Sequence, residues 1–145
     1  HPTASPLAVR LTKPHDPPIQ GPDAIEDLTT SFSACAPFES MVVLNLSCPN
    51  TAEGRTFEDP NALDDLLKYI MPIRSVMENP PPVLVKLSPP VTDRVVLDSE
   101  VDEIVAVSMA HGVNGFVASN TESGRDLLDL SEERLAAIGA GGLSG

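Results

Sequence analysis

The chain of 145 residues has no tryptophan, one tyrosine and four phenylalanines, so aromatics amount to 3%. Apolar residues reach 41%, which allows a core, but one that has to be aliphatic. The length suits one ordinary domain. Positive charge is also scarce: nine Lys and Arg stand against 21 Asp and Glu, for a net charge of −12. Grasping nucleic-acid phosphates takes clustered cations, so the balance argues against a nucleic-acid partner. No apolar run approaches the roughly 20 residues needed to span a bilayer. Nothing has the layout of a signal peptide. The two cysteines, Cys35 and Cys48, lack Cys-x-x-Cys spacing and have too little His around them for zinc, so no metal site is expected. A reducing compartment is the simplest setting for so few thiols. The chain opens on "HPTASPL" and closes on "GGLSG", and both ends are expected to continue in a longer protein.

What is present alternates. "SPLAVRLT", Ser5 to Thr12, reads as a short strand, and the Pro-rich "KPHDPPIQGP" after it as a loop. Pro22 suits a first helical turn, and Ile25, Leu28, Phe32 and Cys35 recur at helical spacing, predicting a helix over 22–35. "SMVVLNL" is a second strand. Asp59-Pro60 is a helix start, followed by Leu63, Leu66, Leu67 and Ile70 on one stripe. "PPVLVKL" is a third strand. Ser99 can cap a helix whose apolar stripe is Val101, Ile104, Val105, Ser108 and Met109, ended by Gly112. "NGFVAS" is a fourth strand, and Ser131 to Ile138 a last short helix closed by Gly139. Near-continuous apolar strands alternating with helices predict an α/β fold with a parallel sheet. Both a doubly wound sheet and a (β/α)8 barrel fit. A full barrel needs roughly 200 residues or more, so this chain could supply only about half of one.

Parallel α/β proteins bind ligands at the carboxyl ends of their strands. The second strand ends in Asn45, Cys48 and Asn50, the third carries Lys86, and the fourth ends in Ser119, Asn120 and Thr121. Each cluster alone has a plain explanation, since Asn, Ser and Pro form turns and a strand lysine can snorkel to solvent. Three clusters at one end of a sheet are a constellation. Lys86 inside an apolar run is costly unless it meets an anion or polar ligand. Cys35 reads as helix core, and His111 as a favourable charge at a helix C-terminus. "GAGGLSG" is either a helix cap with a flexible end or a backbone cradle for phosphate.

"NLSCPNT", "PVLVKLSPP", "GVNGFVASNT" and "GGLSG", in this order and rough spacing, resemble the dihydroorotate dehydrogenases, built on an FMN-binding (β/α)8 barrel. The resemblance covers nearly the whole chain, most firmly from Val42 to Gly145. It implies that residues 1–145 are the central part of one barrel domain, truncated at both ends. It implies dihydroorotate as substrate, orotate as product and FMN as cofactor, in pyrimidine biosynthesis. Cys48 matches the base that takes a proton from C5 while hydride leaves C6 for the flavin. Asn45, Asn50, Asn120 and Thr121 match substrate contacts. Asn45, Lys86, Ser119 and Gly145 match flavin contacts, with Ser119 at a position usually Thr. The first strand departs from a stretch that often reads Val-Asn-Leu-Gly-Lys-Asn. Arg10 replaces an Asn that reaches the flavin, Thr12 replaces Gly, and Pro14 replaces Asn. Glu122 stands where a second Thr is common.

A cysteine base is typical of the soluble enzymes that use fumarate or an NAD-linked partner, whereas "NTAEGRTFEDP" and "GGLSG" look closer to the quinone-linked layout. The expectation is a cysteine-base subgroup with the acceptor open among quinone, fumarate and an NAD-linked partner. Homodimerisation is likewise open. So is location, either cytoplasmic or peripheral to a membrane (the mitochondrial inner membrane in a eukaryote). Two alternatives stand beside this expectation. One is a related flavin-dependent oxidoreductase acting on another cyclic substrate. The other is a non-catalytic barrel fragment, since half a barrel has two open sheet edges. The 145 residues alone are expected to be inactive and to bind FMN poorly.

Overall fold

The computed structural model describes residues 6–13, 21–46, 56–88, 99–119, 121 and 130–138. Four parallel strands form one sheet: β1 (Ala8–Thr12), β2 (Met41–Asn45), β3 (Val83–Lys86) and β4 (Gly115–Val117). Between them run α1 (Gly21–Cys35), α2 (Pro60–Ser75) and α3 (Ser99–Ala110), and α4 (Glu132–Ile138) follows β4. The order in space, β1-β2-β3-β4, is the order in sequence. That decides between the two architectures the alternation allows. Right-handed crossovers that always step the same way keep every helix on one face, as in a barrel. A doubly wound sheet has to reverse its strand order once. The fold is therefore part of a (β/α)8 barrel.

Side chains alternate along each strand. Leu11, Val42, Leu44, Val83 and Val85 point to the helix-covered face and join Ala24, Leu28 and Phe32 of α1, Leu63, Leu66, Leu67 and Ile70 of α2, and Ile104 of α3 in one core. Phe32 is its one aromatic of α1, and α2, the middle helix, has its whole predicted stripe buried. The opposite face carries Arg10, Thr12, Val43, Asn45, Leu84 and Lys86, all half-buried or exposed.

Local chemistry explains the helix ends. The Asp59 carboxylate accepts from the backbone N–H of Asn61 at 2.9 Å and of Ala62 at 3.0 Å, with Pro60 behind it. Such a cap contributes about 1 kcal/mol. At the other end of α3, Gly112 has φ +77° and donates to the Met109 carbonyl at 3.0 Å, while Val113 donates to Ser108 at 3.0 Å. These are the paired bonds of a Schellman cap, and the positive φ is why a glycine stands there. Asn114 then clamps the start of β3. Its N–H donates to the Val83 carbonyl at 2.8 Å, and its side-chain oxygen accepts from the Val83 N–H at 2.9 Å.

Two core expectations change. Met109 is 66% exposed, because the buried line of α3 runs through Ile104 and Ser108 and residue 109 lies about 100° further round. Ser108 can be fully buried because its hydroxyl donates to the Ile104 carbonyl at 2.7 Å. Cys35 is half-buried rather than core.

His111 does more than offset a helix end. Its Nε2 lies 2.7 Å from Asp64 Oδ1, tying the end of α3 to α2, and Lys68 Nζ sits 2.6 Å from Asp64 Oδ2. The hydrogen bond from His111, and after it that from Lys68, holds the Asp64 carboxyl below the usual carboxylate range. A carboxylate acidified on folding stabilises the fold above its unfolded pKa, and that contribution is lost as pH falls through its folded value. Asp64→Asn is therefore expected to lower the urea midpoint of the complete protein at pH 7. The gap should close below about pH 4. A gap that persists undiminished into strong acid would mean the loss is one of shape, not charge.

Candidate active site

The parallel register lines up one row across the sheet: Thr12 pairs with Asn45, Asn45 with Lys86, and Lys86 with Val117. All four point to the face away from the helices, at the carboxyl ends of their strands. A hydroxyl, an amide and an ammonium thus stand side by side where a barrel binds its ligands. Asn45 Nδ2 donates to Thr12 Oγ1 at 3.4 Å, the long end of hydrogen-bond range. Asn45 and Lys86 are half-buried. Two residues beyond Val117, Ser119 is exposed at the same end of the sheet, and Thr121 follows, also exposed. The bond from the Leu87 N–H to the Val117 carbonyl, 3.0 Å, carries the β3–β4 pairing past Lys86 towards them. Cys48, Asn50, Asn120 and Gly145 lie outside the described residues, as do Pro14 and Glu122.

Charge is distributed against the overall balance. Arg10, Lys13 and Lys86 are three of the nine cations of a strongly acidic chain: Arg10 lies midway along β1, Lys13 directly follows β1, and Lys86 ends β3. Arg10 shares the face of Thr12, one layer deeper. Lys13 is only 4% exposed. An ammonium so buried needs compensating neighbours, which makes this a built position rather than a solvated one. Sequence reasoning passed over Lys13, and the available signal was a lysine directly after an apolar strand.

A second unforeseen feature ties the start of α2 to the end of β3. Just before α2, a 3₁₀ turn at Thr56–Glu58 buries Phe57, and the Glu58 carboxylate accepts a hydrogen bond from the Ser88 hydroxyl, two residues past Lys86. The 3₁₀ turn that leads into α2 is thereby fastened beside the end of β3. Among the described residues no cluster of His, Cys, Asp and Glu could hold a metal ion. No helix among them is long and apolar enough to cross a membrane.

A parallel α/β sheet wound in barrel order, with polar groups gathered at its strand ends, is the architecture of (β/α)8 barrels, which carry their active sites at that end. Residues 7–145 match the family model for dihydroorotate dehydrogenase, and the chain belongs to that family. It is 35% identical over 127 residues to a dihydroorotate dehydrogenase (quinone) of Rhodococcus erythropolis, covering 88% of this chain and 33% of that protein. It is 34% identical over 149 residues to a dihydroorotate dehydrogenase (quinone) of Chloroflexus aurantiacus, covering 99% of this chain and 39% of that one. The ligand-free DHODH of Eimeria tenella superposes with a TM-score of 0.68 at 24% identity, over 87% of this chain and 37% of the other. The chain thus spans between a third and two-fifths of the length of these relatives.

Proposed function

We propose that the complete protein oxidises dihydroorotate to orotate with FMN as cofactor and a quinone as electron acceptor. The observation that carries this is the Thr12–Asn45–Lys86 row at the strand ends of a chain belonging to this family. The acceptor is proposed because both relatives described above are quinone-linked enzymes by name. The donor set suits FMN. An amide and an ammonium in adjacent register offer hydrogen bonds to a ring edge rich in nitrogen and oxygen, and Lys86 brings positive charge. Lys13, just past β1, adds a cation at the same end, and Arg10 one on the face of Thr12 a layer deeper, in keeping with an anionic cofactor and a substrate carboxylate.

In this mechanism Cys48 takes a proton from C5 of dihydroorotate, and the C5–C6 double bond of orotate forms as hydride leaves C6. FMN, when bound, supplies the two-electron acceptor for that hydride. Asn45, Asn50, Asn120 and Thr121 hold the pyrimidine by its alternating donors and acceptors. With FMN bound, Lys86 would offset the negative charge of its reduced form, and Ser119 and Gly145 would be among the residues that hold it. The thiolate, not the thiol, is the base, so turnover that depends on Cys48 is expected to rise with pH.

The test is an absorbance spectrum of the purified complete protein followed by anaerobic addition of dihydroorotate, then of a soluble quinone. Bleached flavin bands that return on adding quinone are expected. A flavin that dihydroorotate leaves oxidised would sink the substrate assignment. Recovery with fumarate or NAD but not quinone would sink the acceptor.

A further inference from the structure

We propose that Thr12 is a positioning residue. Its hydroxyl fixes the side-chain amide of Asn45 and so sets how tightly the pyrimidine is held. The inference rests on the function proposed above and deepens it.

Thr12 and Asn45 are register partners on neighbouring strands, and Asn45 Nδ2 donates to Thr12 Oγ1 at 3.4 Å. A carboxamide has a donor end and an acceptor end, and turning it over exchanges the two. With Nδ2 held towards β1, the acceptor Oδ1 is directed away from β1. A pyrimidine edge presents N–H donors and carbonyl acceptors at fixed places. A reversed amide would therefore set like against like and forfeit a hydrogen bond in a partly buried site. Threonine suits the task because branching at Cβ restricts χ1, so its hydroxyl is held rather than free to swing. Lys86 flanks Asn45 on the other side in the same register. The amide is thus bracketed by β1 and β3, and of the two neighbours only Thr12 carries a hydroxyl. Glycine, which the resembled first-strand stretch has in place of Thr12, offers no side chain for this contact. The device therefore belongs to this chain's departure from that stretch.

The test is a double-mutant cycle read by calorimetric orotate binding to the complete, flavin-loaded protein, with thermal midpoints alongside. Thr12→Val keeps the shape and removes the hydroxyl. It is expected to weaken orotate binding about 3- to 10-fold, the range of one modest hydrogen bond, with an unchanged thermal midpoint. Thr12→Ser should bind within about twofold of the wild type. In an Asn45→Ala background, Thr12→Val should change affinity by less than about twofold, because the group it orients is gone. Thr12→Ala provides the same comparison should the valine variant fail to fold. Equal affinity with and without the hydroxyl would overturn the proposal, as would the same loss in both backgrounds. A wild-type protein that binds no orotate would overturn the pyrimidine site itself, and this inference with it. A wild type that binds, paired with a silent Thr12→Val, would overturn this inference alone.

Discussion

Replacing Cys48 by alanine in the complete protein is expected to slow dihydroorotate-driven flavin bleaching by about 10²- to 10⁴-fold, the contribution of a positioned general base. Flavin content should stay at the wild-type level, because the cofactor contacts assigned here are Asn45, Lys86, Ser119 and Gly145. In sequence the thiol follows β2 by three residues, and among the described residues Phe57 is buried and Glu58 accepts a hydrogen bond from Ser88 just before α2. Stopped-flow absorbance under anaerobic conditions measures the rate. Its pH profile identifies the group: the wild-type rate should rise with pH as the thiolate fraction grows, and the alanine variant should lose that rise. A Cys48→Ala protein that bleaches at the wild-type rate would transfer the role of base to another residue.

Lys86→Met carries the second large effect. Methionine keeps an unbranched apolar side chain, one atom shorter, and removes the charge together with its N–H donors. Lys86 is the last residue of β3, half-buried, in register with Asn45 on one side and Val117 on the other. A hydrogen bond from a charged group is worth about 1.5–3 kcal/mol, so flavin reduction by dihydroorotate should slow by roughly 10- to 100-fold. Flavin dissociation on dilution should quicken as well. Lys86→Arg is expected to recover little, since a planar guanidinium is larger and donates in a different geometry. Wild-type bleaching by Lys86→Met would make Lys86 a strand-end lysine that merely reaches solvent.

The features legible in the sequence were those with a short period. The α2 stripe of Leu63, Leu66, Leu67 and Ile70 is buried as predicted, because a 3.6-residue repeat states directly which side of a helix is apolar. Asp59-Pro60 and Gly112 marked helix ends through their own local chemistry. Asn45 and Lys86 stood out because polar residues ending apolar strands need a reason to be there. The misplacement of Met109 shows the limit of a stripe. Spacing names a broad face, and packing against α2 decides where its centre runs. Three contacts were invisible from sequence: Thr12 with Asn45, His111 with Asp64, and Ser88 with Glu58. Their partners are 33, 47 and 30 residues apart, and no local pattern links them.

By itself, the amino-acid sequence determined the alternation of four strands and their helices, an aliphatic core and the polar residues at the strand ends. These follow from hydrophobic period and capping, which act over a few residues. Only the tertiary structure decided that the sheet winds in barrel order and that Arg10 shares a face with Thr12, Asn45 and Lys86. It alone showed that Lys13 is buried. Those outcomes depend on strand register and on which helix covers which strand, and both are set by burying apolar surface among residues tens of positions apart.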